Sequence, residues 1–354
     1  MNKYAIIMAG GDGTRLFPIS TRNKPKQFLD LFGNGIMINE TINRISKTIP
    51  VENIFIVINN SQKEMAEKYI DKRIDKQKIL FEPKACNTAT CICYAMTYIT
   101  ELYGDGIIGV FSTDHYVDDE DKFNNVLYKA MEYVKLNNEV IIIGTKPTFP
   151  STQFGYIKYI DNKEYMKPVK EFKEKPNEEQ AKEYIKNGYV WNSGIFIWNT
   201  YTIKRAFLDF MPQLYEKFQQ IKKYFKTELF YEKLEKIYDI IEPISIDIGI
   251  IEKINNIRMV LADYEWRDIG SLKLLLDLYY NKKINLQNMN NCSLIKSNNI
   301  TTFSENKERK FAIIGLENIV VVESNNICLI ANADFKDEDL KKLSEKMDFE
   351  RYRI

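Results

Sequence analysis

A string of glycines followed by basic residues near the start of the chain carries the clearest chemical signal in the sequence. An apolar run leads into Ala9-Gly10-Gly11-Asp12-Gly13-Thr14-Arg15, and the basic turn Lys24-Pro25-Lys26 begins nine residues after Arg15. Glycines after a strand allow backbone N–H groups to close on an anion, and the basic side chains add mobile positive charge. The string therefore predicts a loop that binds a polyphosphate.

The spacing differs from that of two common phosphate loops. No Gly-Lys-Ser/Thr closes the glycine run, as a P-loop requires. The third glycine of a dinucleotide-binding loop is also missing, and Arg15 stands near the position where the helix would begin. The glycines alone would fit an ordinary turn, but Arg15 and Lys26 at these offsets favour the phosphate site.

Two further strings of polar residues stand where apolar runs end. Glu82-Pro83-Lys84-Ala85-Cys86-Asn87-Thr88 follows one run, and Ser112-Thr113-Asp114-His115 follows the next. A hard cation such as Mg²⁺ takes one or two carboxylates together with substrate phosphates, so Asp114 is a candidate ligand. Structural interpretations stay open, because aspartate also commonly caps turns and Asn or Thr commonly begins helices.

Composition narrows the classes of function. Lys and Arg number 50 against 49 Asp and Glu in 354 residues, so no overall basic charge points to a nucleic-acid partner. No run approaches the ~18 apolar residues of a membrane span, and the opening apolar run is too short for a secretory signal. The five cysteines lack Cys-x-x-Cys spacing, which favours reduced thiols. We therefore expect a cytoplasmic protein that does not enter a membrane.

A single histidine, His115, limits the possible mechanisms. Zinc sites of the common His-rich kinds and Ser-His-Asp triads would each have to use that residue. The scarcity of histidine instead favours a reaction whose nucleophile is already ionised.

The elements that must position these residues follow an alternating pattern. Apolar runs at 54–58, 79–81, 107–111 and 140–143 predict strands, and helical patterns lie between them. Alternation of this kind predicts an α/β fold with a doubly wound, mostly parallel, Rossmann-like sheet. Ligands of such sheets bind at the carboxyl ends of the strands, where the glycine string and Asp114 both fall.

The pattern changes in the second half of the chain. Hairpin-like pieces follow Gly155, and a helix is predicted from Asn177, which forms a capping box with Gln180. A stretch rich in Asn and Lys suggests a linker at 284–291 between a large domain, 1–283, and a small C-terminal β domain, 292–354, with solenoid-like turns and a tail helix. The small domain is too short to bury both of its faces alone, so we expect it to pack on the large domain or on a second subunit.

The glycine string and the turn Lys24-Pro25-Lys26-Gln27-Phe28 together resemble the signature of the sugar-nucleotide pyrophosphorylases, in particular the mannose-1-phosphate guanylyltransferase branch. Further strings that resemble this family lie at 82–89, 112–115, 171–176, 191–196 and 266–271. The resemblance therefore covers nearly the whole chain. It implies that 1–283 is a nucleotidyltransferase catalytic domain.

The resemblance also implies roles for individual residues. Arg15 and Lys26 would be catalytic, and Asp114 with Asp268 would hold Mg²⁺. The sugar phosphate would be bound by Gly155, Glu174, Lys175, Asn192 and Gly194. The nucleotide would be bound by Ala9, Gly10, Gly11, Gly13, Thr14, Glu82, Pro83, Asn87, Thr88, Ser112 and Asp114.

The activity implied is transfer of GMP from GTP to α-D-mannose 1-phosphate by a homodimer, with no fused isomerase domain. Two alternatives stay open. A sibling enzyme could use another manno-configured sugar 1-phosphate, such as a heptose, or another nucleotide. A homologue without activity could bind sugar nucleotides for regulation, although the presence of Arg15, Lys26, Asp114 and Asp268 together argues against that.

Overall fold

The computed structural model describes residues 1–11, 13–280, 292–306 and 308–351. Its strands are β1 (Asn2–Met8), β2 (Ile54–Asn59), β3 (Ile79–Glu82), β4 (Gly106–Ser112), β5 (His115–Val117), β6 (Val140–Thr145), β7 (Tyr156–Tyr159), β8 (Lys167–Lys173), β9 (Val190–Asn199), β10 (Ile257–Leu261), β11 (Trp266–Asp268), β12 (Cys292–Ile295), β13 (Asn298–Ser304), β14 (Phe311–Ile314), β15 (Glu317–Ser324) and β16 (Ile327–Asn332). Its α-helices are α1 (Met37–Ser46), α2 (Lys63–Tyr69), α3 (Asn87–Leu102), α4 (Glu120–Leu136), α5 (Glu178–Lys186), α6 (Thr200–Phe210), α7 (Pro212–Ile221), α8 (Phe230–Ile240), α9 (Leu272–Tyr280) and α10 (Asp337–Arg351).

The chain divides into two compact units, each made of two separate stretches. Unit 1 contains Met1–Gly10 and Thr41–Arg267, and unit 2 contains Gly11–Glu40 and Asp268–Ile354. The linker expected at 284–291 lies outside the described residues, as does the boundary expected at 283. The division into domains 1–283 and 292–354 therefore stays a prediction.

Unit 1 is built on one nine-stranded sheet in the order β3-β2-β1-β4-β9-β6-β10-β8-β7. Strands β3, β2, β1 and β4 are parallel to one another, and their central residues are buried, as expected for apolar strands covered on both faces. The α/β class expected from the alternating pattern is confirmed.

The other half of the sheet departs from that expectation. Strand β9 is antiparallel to both β4 and β6, and β7 pairs antiparallel with β8 and with β9. The expectation of a mostly parallel sheet is therefore correct for β3, β2, β1 and β4 and for the parallel pair of β6 and β10, and it is wrong for β8 and β9, which run antiparallel to their neighbours. The doubly wound, Rossmann-like description stays a prediction.

The helices of unit 1 follow their sequence patterns closely. Helix α4 buries the stripe that includes Phe123, Leu127 and Met131. Helix α5 begins with the predicted capping box between Asn177 and Gln180. Helix α3 is buried around most of its surface, and it contacts helices α6 and α7 as well as strands β1, β2 and β4.

Unit 2 combines α9, the strands β12–β16 and α10 with the early stretch 11–40. Strand β12 is parallel to β14, β13 is parallel to β15, and β16 returns antiparallel to β15. Tyr279 of α9 stacks on Phe303 of β13, with ring centroids 5.8 Å apart. The solenoid-like description of these strands stays a prediction. None of the helices described in either unit is long and apolar enough to span a bilayer.

Candidate active site

Strand β1 delivers the start of the glycine string to the carboxyl edge of the unit 1 sheet. Ala9 continues the parallel pairing, since its N–H donates to Val57 O at 2.8 Å. Gly10 follows beside the end of β3, where a Cβ on Gly10 would lie 3.6 Å from Glu82 Oε2. The structure thus brings together Gly10 and Glu82, two of the residues expected to contact the nucleotide.

Glu82 carries a buried carboxyl, and only 5 % of the residue is exposed. The hydroxyl of Tyr238 donates to its Oε1 at 2.8 Å. Burial nevertheless raises the pKa of Glu82 to about 7, because desolvation of the charged form outweighs this hydrogen bond. At neutral pH the group is divided between a form that accepts hydrogen bonds and a form that can also donate one.

Helix α3 begins close in sequence to Glu82. The sequence indicates that Asn87 or Thr88 begins a helix, but it does not indicate the contacts that hold the helix start. Asn87 is the first helical residue and has a positive φ of 64°, and its side chain accepts from the adjacent Thr88 N–H. The chain after α8 supplies the other contacts: Ile244 O accepts from Ala89 N–H, and the Thr88 hydroxyl accepts from Ile246 N–H. Thr88 therefore ties two segments together, while Asn87 is exposed and Pro83 half-buried.

In unit 2, the rest of the glycine string folds back on the basic turn. Gly13 has a left-handed φ of 64°, and a Cβ there would collide with Ser20 Oγ and lie 3.1 Å from Lys26 Cβ. A Cβ on Gly11 would lie 3.6 Å from Lys26 Cε. Glycine is thus needed at position 13 for both its backbone conformation and its close approach. Thr14 continues into a short 3₁₀ turn, Thr14–Leu16.

Short local hydrogen bonds hold the segment 13–28 in place. Thr21 and Lys24 exchange backbone hydrogen bonds of 3.1 and 3.0 Å, and a second 3₁₀ turn, Lys26–Phe28, follows. The side chain of Lys26 consequently runs along the glycines, as expected for two parts of one phosphate-binding loop. Its catalytic role stays a prediction.

Arg15 and Asp268 meet at a second glycine of unit 2. A Cβ on Gly270 would lie 3.3 Å from Arg15 Nη2 and 3.3 and 3.4 Å from the two carboxylate oxygens of Asp268. Absence of a side chain at position 270 therefore leaves room for both charged groups. Two residues separated by more than 250 positions, each singled out for phosphate or metal chemistry, are brought together here.

Asp114 lies in unit 1, in the turn between β4 and β5. Its carboxylate accepts a hydrogen bond from Ser112 Oγ and lies 4.0 Å from His115 Nε2. His115 is buried, and its ring makes an edge contact with Trp266 at 5.0 Å between centroids. The aspartate is thus held at the carboxyl end of β4, as the parallel-sheet argument requires.

A third cluster surrounds Gly155 in unit 1. A Cβ on Gly155 would lie 2.8 Å from Glu174 Oε2 and 3.4 Å from Asn192 Cβ, so glycine allows these two side chains to converge. Asn192 is oriented at both ends of its amide: Oδ1 accepts from Gly194 N–H at 2.9 Å, and Nδ2 donates to Asp247 Oδ1 at 2.9 Å. The structure therefore assembles Gly155, Glu174, Asn192 and Gly194 as expected.

Glu174 provides a buried acceptor in this cluster. Its side chain is 9 % exposed, and Lys175 Nζ lies 3.1 Å from Oε1. Within the described residues, Oε2 is buried without a hydrogen-bond partner. Burial raises the pKa of Glu174, and the positive charge of Lys175 acts against that rise. Buried polar atoms normally have hydrogen-bond partners, so Oε2 is suited to accept a hydrogen bond from a hydroxyl of a ligand.

Asp247 is a member of this cluster that sequence reasoning missed. It begins a π-helical turn, Asp247–Ile251, and burial together with the negative charge of Glu174 raises its pKa to about 7. One signal was available in the sequence: Asp247 is the lone acidic residue in the apolar run Ile244-Ser245-Ile246-Asp247-Ile248-Gly249-Ile250-Ile251. Two neighbouring carboxyls that cannot both ionise easily can accept and donate hydrogen bonds at neutral pH.

No group of three or more His, Cys, Asp or Glu side chains in the described part of the chain is arranged to hold a metal ion. Mg²⁺ that binds together with phosphates usually takes one or two protein carboxylates and oxygen atoms of the substrate.

Comparison with known proteins decides the family. The sequence profile described as nucleotidyl transferase matches residues 4–283, which is most of the chain. This chain belongs to the nucleotidyl transferase family. As a member of that family it is a nucleotidyltransferase enzyme, and the signature segments at 9–28 and 112–114 lie within the matched residues.

Individual relatives of this nucleotidyltransferase cover nearly all of it. Xanthan biosynthesis protein XanB of Xanthomonas campestris pv. campestris (strain B100) is 32 % identical over 332 residues, which are 93 % of this chain and 70 % of that protein. Mannose-1-phosphate guanylyltransferase of Escherichia coli is 29 % identical over 348 residues, which are 96 % of this chain and 73 % of that protein. The crystal structure of mannose-1-phosphate geranyltransferase from Thermus thermophilus superimposes with a TM-score of 0.84 at 26 % identity, covering 98 % of this chain and all of that one.

Proposed function

We propose that this nucleotidyltransferase transfers GMP from GTP to α-D-mannose 1-phosphate, forming GDP-mannose and pyrophosphate. The observation that carries the proposal is the cluster of Glu174, Asn192 and Asp247 around Gly155, which offers convergent acceptors and donors of the kind that vicinal sugar hydroxyls need. Relatives named mannose-1-phosphate guanylyltransferase that align over nearly the whole chain support the choice of sugar and base.

The reaction needs no base from the protein. An oxygen of the sugar phosphate, already ionised at neutral pH, attacks the α-phosphorus of GTP in line. The bond from that phosphorus to the bridging oxygen breaks, and pyrophosphate leaves with the electron pair. Positioning and neutralisation of charge are then the main tasks of the enzyme, which agrees with its single histidine.

Within this scheme the basic residues of the segment 13–28 bind the triphosphate. Arg15 and Lys26 would neutralise the charge that develops on the departing pyrophosphate. Backbone N–H groups of the glycine string would bind the same phosphates, since no Cβ blocks their approach at Gly11 and Gly13. Lys175, which is exposed beside Glu174, would bind the phosphate of the sugar.

Asp114 and Asp268 are the residues that would hold Mg²⁺. Their donor atoms fit the ion, because both are carboxylate oxygens and Mg²⁺ prefers hard oxygen ligands. When bound, Mg²⁺ would supply positive charge to the reacting phosphates.

The buried acceptor at Glu82 supports a role for this region in choosing the base. Guanine presents N–H donors on its pairing edge, and a carboxylate oxygen can accept hydrogen bonds from them. Asn87, exposed and close in sequence, offers an amide for the remaining positions. A site that pairs with guanine leaves polar groups unpaired when another base binds, which costs about 1–3 kcal/mol for each group.

A pyrophosphate-release assay with several triphosphates and several sugar 1-phosphates tests the proposal. The highest kcat/KM is expected for GTP with mannose 1-phosphate, ahead of ATP, UTP and dTTP and ahead of glucose 1-phosphate. Equal kcat/KM for GTP and a pyrimidine triphosphate would refute the guanylyl assignment. Higher kcat/KM with a manno-configured heptose 1-phosphate would identify the sibling activity, and no release with any pair would favour the non-catalytic alternative.

The homodimer and the cytoplasmic location expected from the sequence are also part of the proposal. Light scattering of the purified protein would determine the first, since a dimer has twice the mass of the 41.7 kDa chain. Fractionation of the cells that make the protein would determine the second.

A further inference from the structure

The turn between β15 and β16 contacts the backbone of the segment 13–28, within unit 2. Asn325 Nδ2 donates to Pro18 O at 2.9 Å and to Ile19 O at 3.3 Å. Both carbonyls belong to residues 16–20, which are buried, so they need partners inside the protein. These hydrogen bonds fix the backbone three to four residues after Arg15.

Asparagine suits this position for two reasons. The pair Asn325-Asn326 closes the hairpin with φ values of 53° and 61°, a left-handed conformation that asparagine adopts more readily than most residues. Its amide nitrogen also lies within hydrogen-bonding distance of three acceptors, the two carbonyl oxygens and Ser324 Oγ, which is 3.0 Å away. The neighbouring Asn326 has the same backbone conformation, but its side chain is exposed and is not needed to donate hydrogen bonds to buried carbonyls.

The helix α10 makes a second contact with the same segment. It packs against the 3₁₀ turn Thr14–Leu16 that carries Arg15. Asp337, the first residue of α10, is half-buried, and its Oδ1 has no hydrogen-bond partner among the described residues. Burial raises the pKa of Asp337, and the positive charges of Arg15 and Lys273 act against that rise.

A third contact is weaker. Lys24 Nζ lies 2.8 Å from Glu305 Oε1, but the two side chains are 41 % and 39 % exposed. Exposed ion pairs contribute little to stability, because water and salt screen them. The hydrogen bonds of Asn325 and the packing of α10, which begins at Asp337, are therefore the contacts able to fix the geometry of the loop.

We infer that Asn325 and Asp337 are positioning residues, which act from the C-terminal part of the chain through the segment 13–28 to hold Arg15 where the triphosphate binds. The inference rests on the proposed function for the role of Arg15. Although every proposed catalytic and metal-binding residue precedes residue 281, the loop that carries Arg15 depends on residues beyond it.

The hairpin offers a matched pair of variants to test the first contact. Asn325→Gly removes the donor and keeps the positive φ, while Asn326→Gly makes the same change on a side chain that faces solvent. We expect Asn325→Gly to accelerate amide hydrogen exchange in peptides covering 13–24 and to lower kcat about tenfold, with KM for the sugar phosphate nearly unchanged. Asn326→Gly should resemble the wild type in both measurements.

The helix offers a second pair. Asp337→Asn removes the charge that faces Arg15, and Asp339→Asn removes a charge from the same first turn of α10 at an exposed position. We expect Asp337→Asn to lower kcat several-fold in the wild-type background and to have less than about a twofold effect when Arg15 is already alanine, since coupled residues are not additive. Asp339→Asn should leave kcat near the wild-type value.

Two results would overturn the inference. One is hydrogen exchange at 13–24 that is the same in Asn325→Gly and Asn326→Gly. The other is an effect of Asp337→Asn that is as large without Arg15 as with it, which would indicate a general role in folding. The exchange measurement uses no substrate, so it tests positioning even if the wild type fails to transfer GMP to mannose 1-phosphate and the proposed function is wrong.

Discussion

Replacing Glu82 by glutamine should change the way in which the stability of the protein depends on pH. Burial raises the pKa of Glu82 from 4.5 to about 7, so the folded state holds this proton more tightly than the unfolded state does. The contribution of Glu82 to the free energy of unfolding of the wild type is therefore fully present below about pH 4.5 and is lost progressively as the pH rises to about 7. Glutamine does not titrate, and it keeps an acceptor for the Tyr238 hydroxyl.

The size of the change in the free energy of unfolding follows from the shift in the pKa of Glu82. Each pKa unit corresponds to about 1.4 kcal/mol, so the change from 4.5 to about 7 corresponds to about 3 kcal/mol in all. Because the unfolded carboxyl is already mostly ionised at pH 5, about 2.5 kcal/mol of this should appear between pH 5 and pH 8. Glu82 is 5 % exposed, so solvent screening reduces the figure little.

Urea unfolding at several pH values between 5 and 8, followed by tryptophan fluorescence, measures this difference. The free energy of unfolding of Glu82→Gln should rise relative to the wild type by that amount across the range. Glu235→Gln, an exposed change on α8 beside Tyr238, should run parallel to the wild type. Tyr238→Phe removes the hydrogen bond that lowers the pKa of Glu82, so it should extend the decline to higher pH. A Glu82→Gln profile parallel to the wild type would refute the reasoning.

Three further predictions concern the segment 13–28 and the proposed metal ligands. Asp268→Asn should lower kcat at least ~10²-fold; turnover near the wild-type value with unchanged Mg²⁺ dependence would exclude Asp268 from the site. Lys26→Ala should lower kcat while urea unfolding gives a free energy within about 0.5 kcal/mol of the wild type, and a larger loss would make Lys26 structural. Gly13→Ala should lower the free energy of unfolding by at least about 1–2 kcal/mol. Gly33→Ala should lower it less, because Gly33 has a φ of 82° but no atom lies within 4 Å of the added Cβ. Equal losses for the two variants in urea unfolding would contradict the close approach of position 13 to Ser20.

Local patterns in the sequence predicted local structure well. The apolar stripe of α4 and the capping box at Asn177 each depend on residues a few positions apart, so the sequence contains all the information they need. The position of Asp114 at the carboxyl end of β4 was predictable for a similar reason, because an apolar run ends there and the chain must turn.

Contacts between distant residues could not be predicted in the same way. The apolar run of β9 resembles a parallel strand, and nothing within it indicates that it lies antiparallel between β4 and β6. Asp247 contacts Asn192 across 55 positions and Tyr238 contacts Glu82 across 156, so each partner looks ordinary in its own stretch of sequence. The resemblance to the family had grouped Gly155 with Glu174 and Asn192, but Gly270 gave no indication that Arg15 and Asp268 would converge on it.

The hydrogen bonds of Asn325 have a consequence for the order of events during synthesis. Ile19 and Asn325 are separated by 306 positions, so the loop that carries Arg15 leaves the ribosome long before its partner does. At 5–20 residues per second, the interval is roughly 15–60 s. Throughout that time the buried carbonyls of residues 18 and 19 must find water or another donor. A nascent chain can therefore complete the sheet of unit 1 early, while the native geometry of the segment 13–28 is reached only after residue 325 has been added.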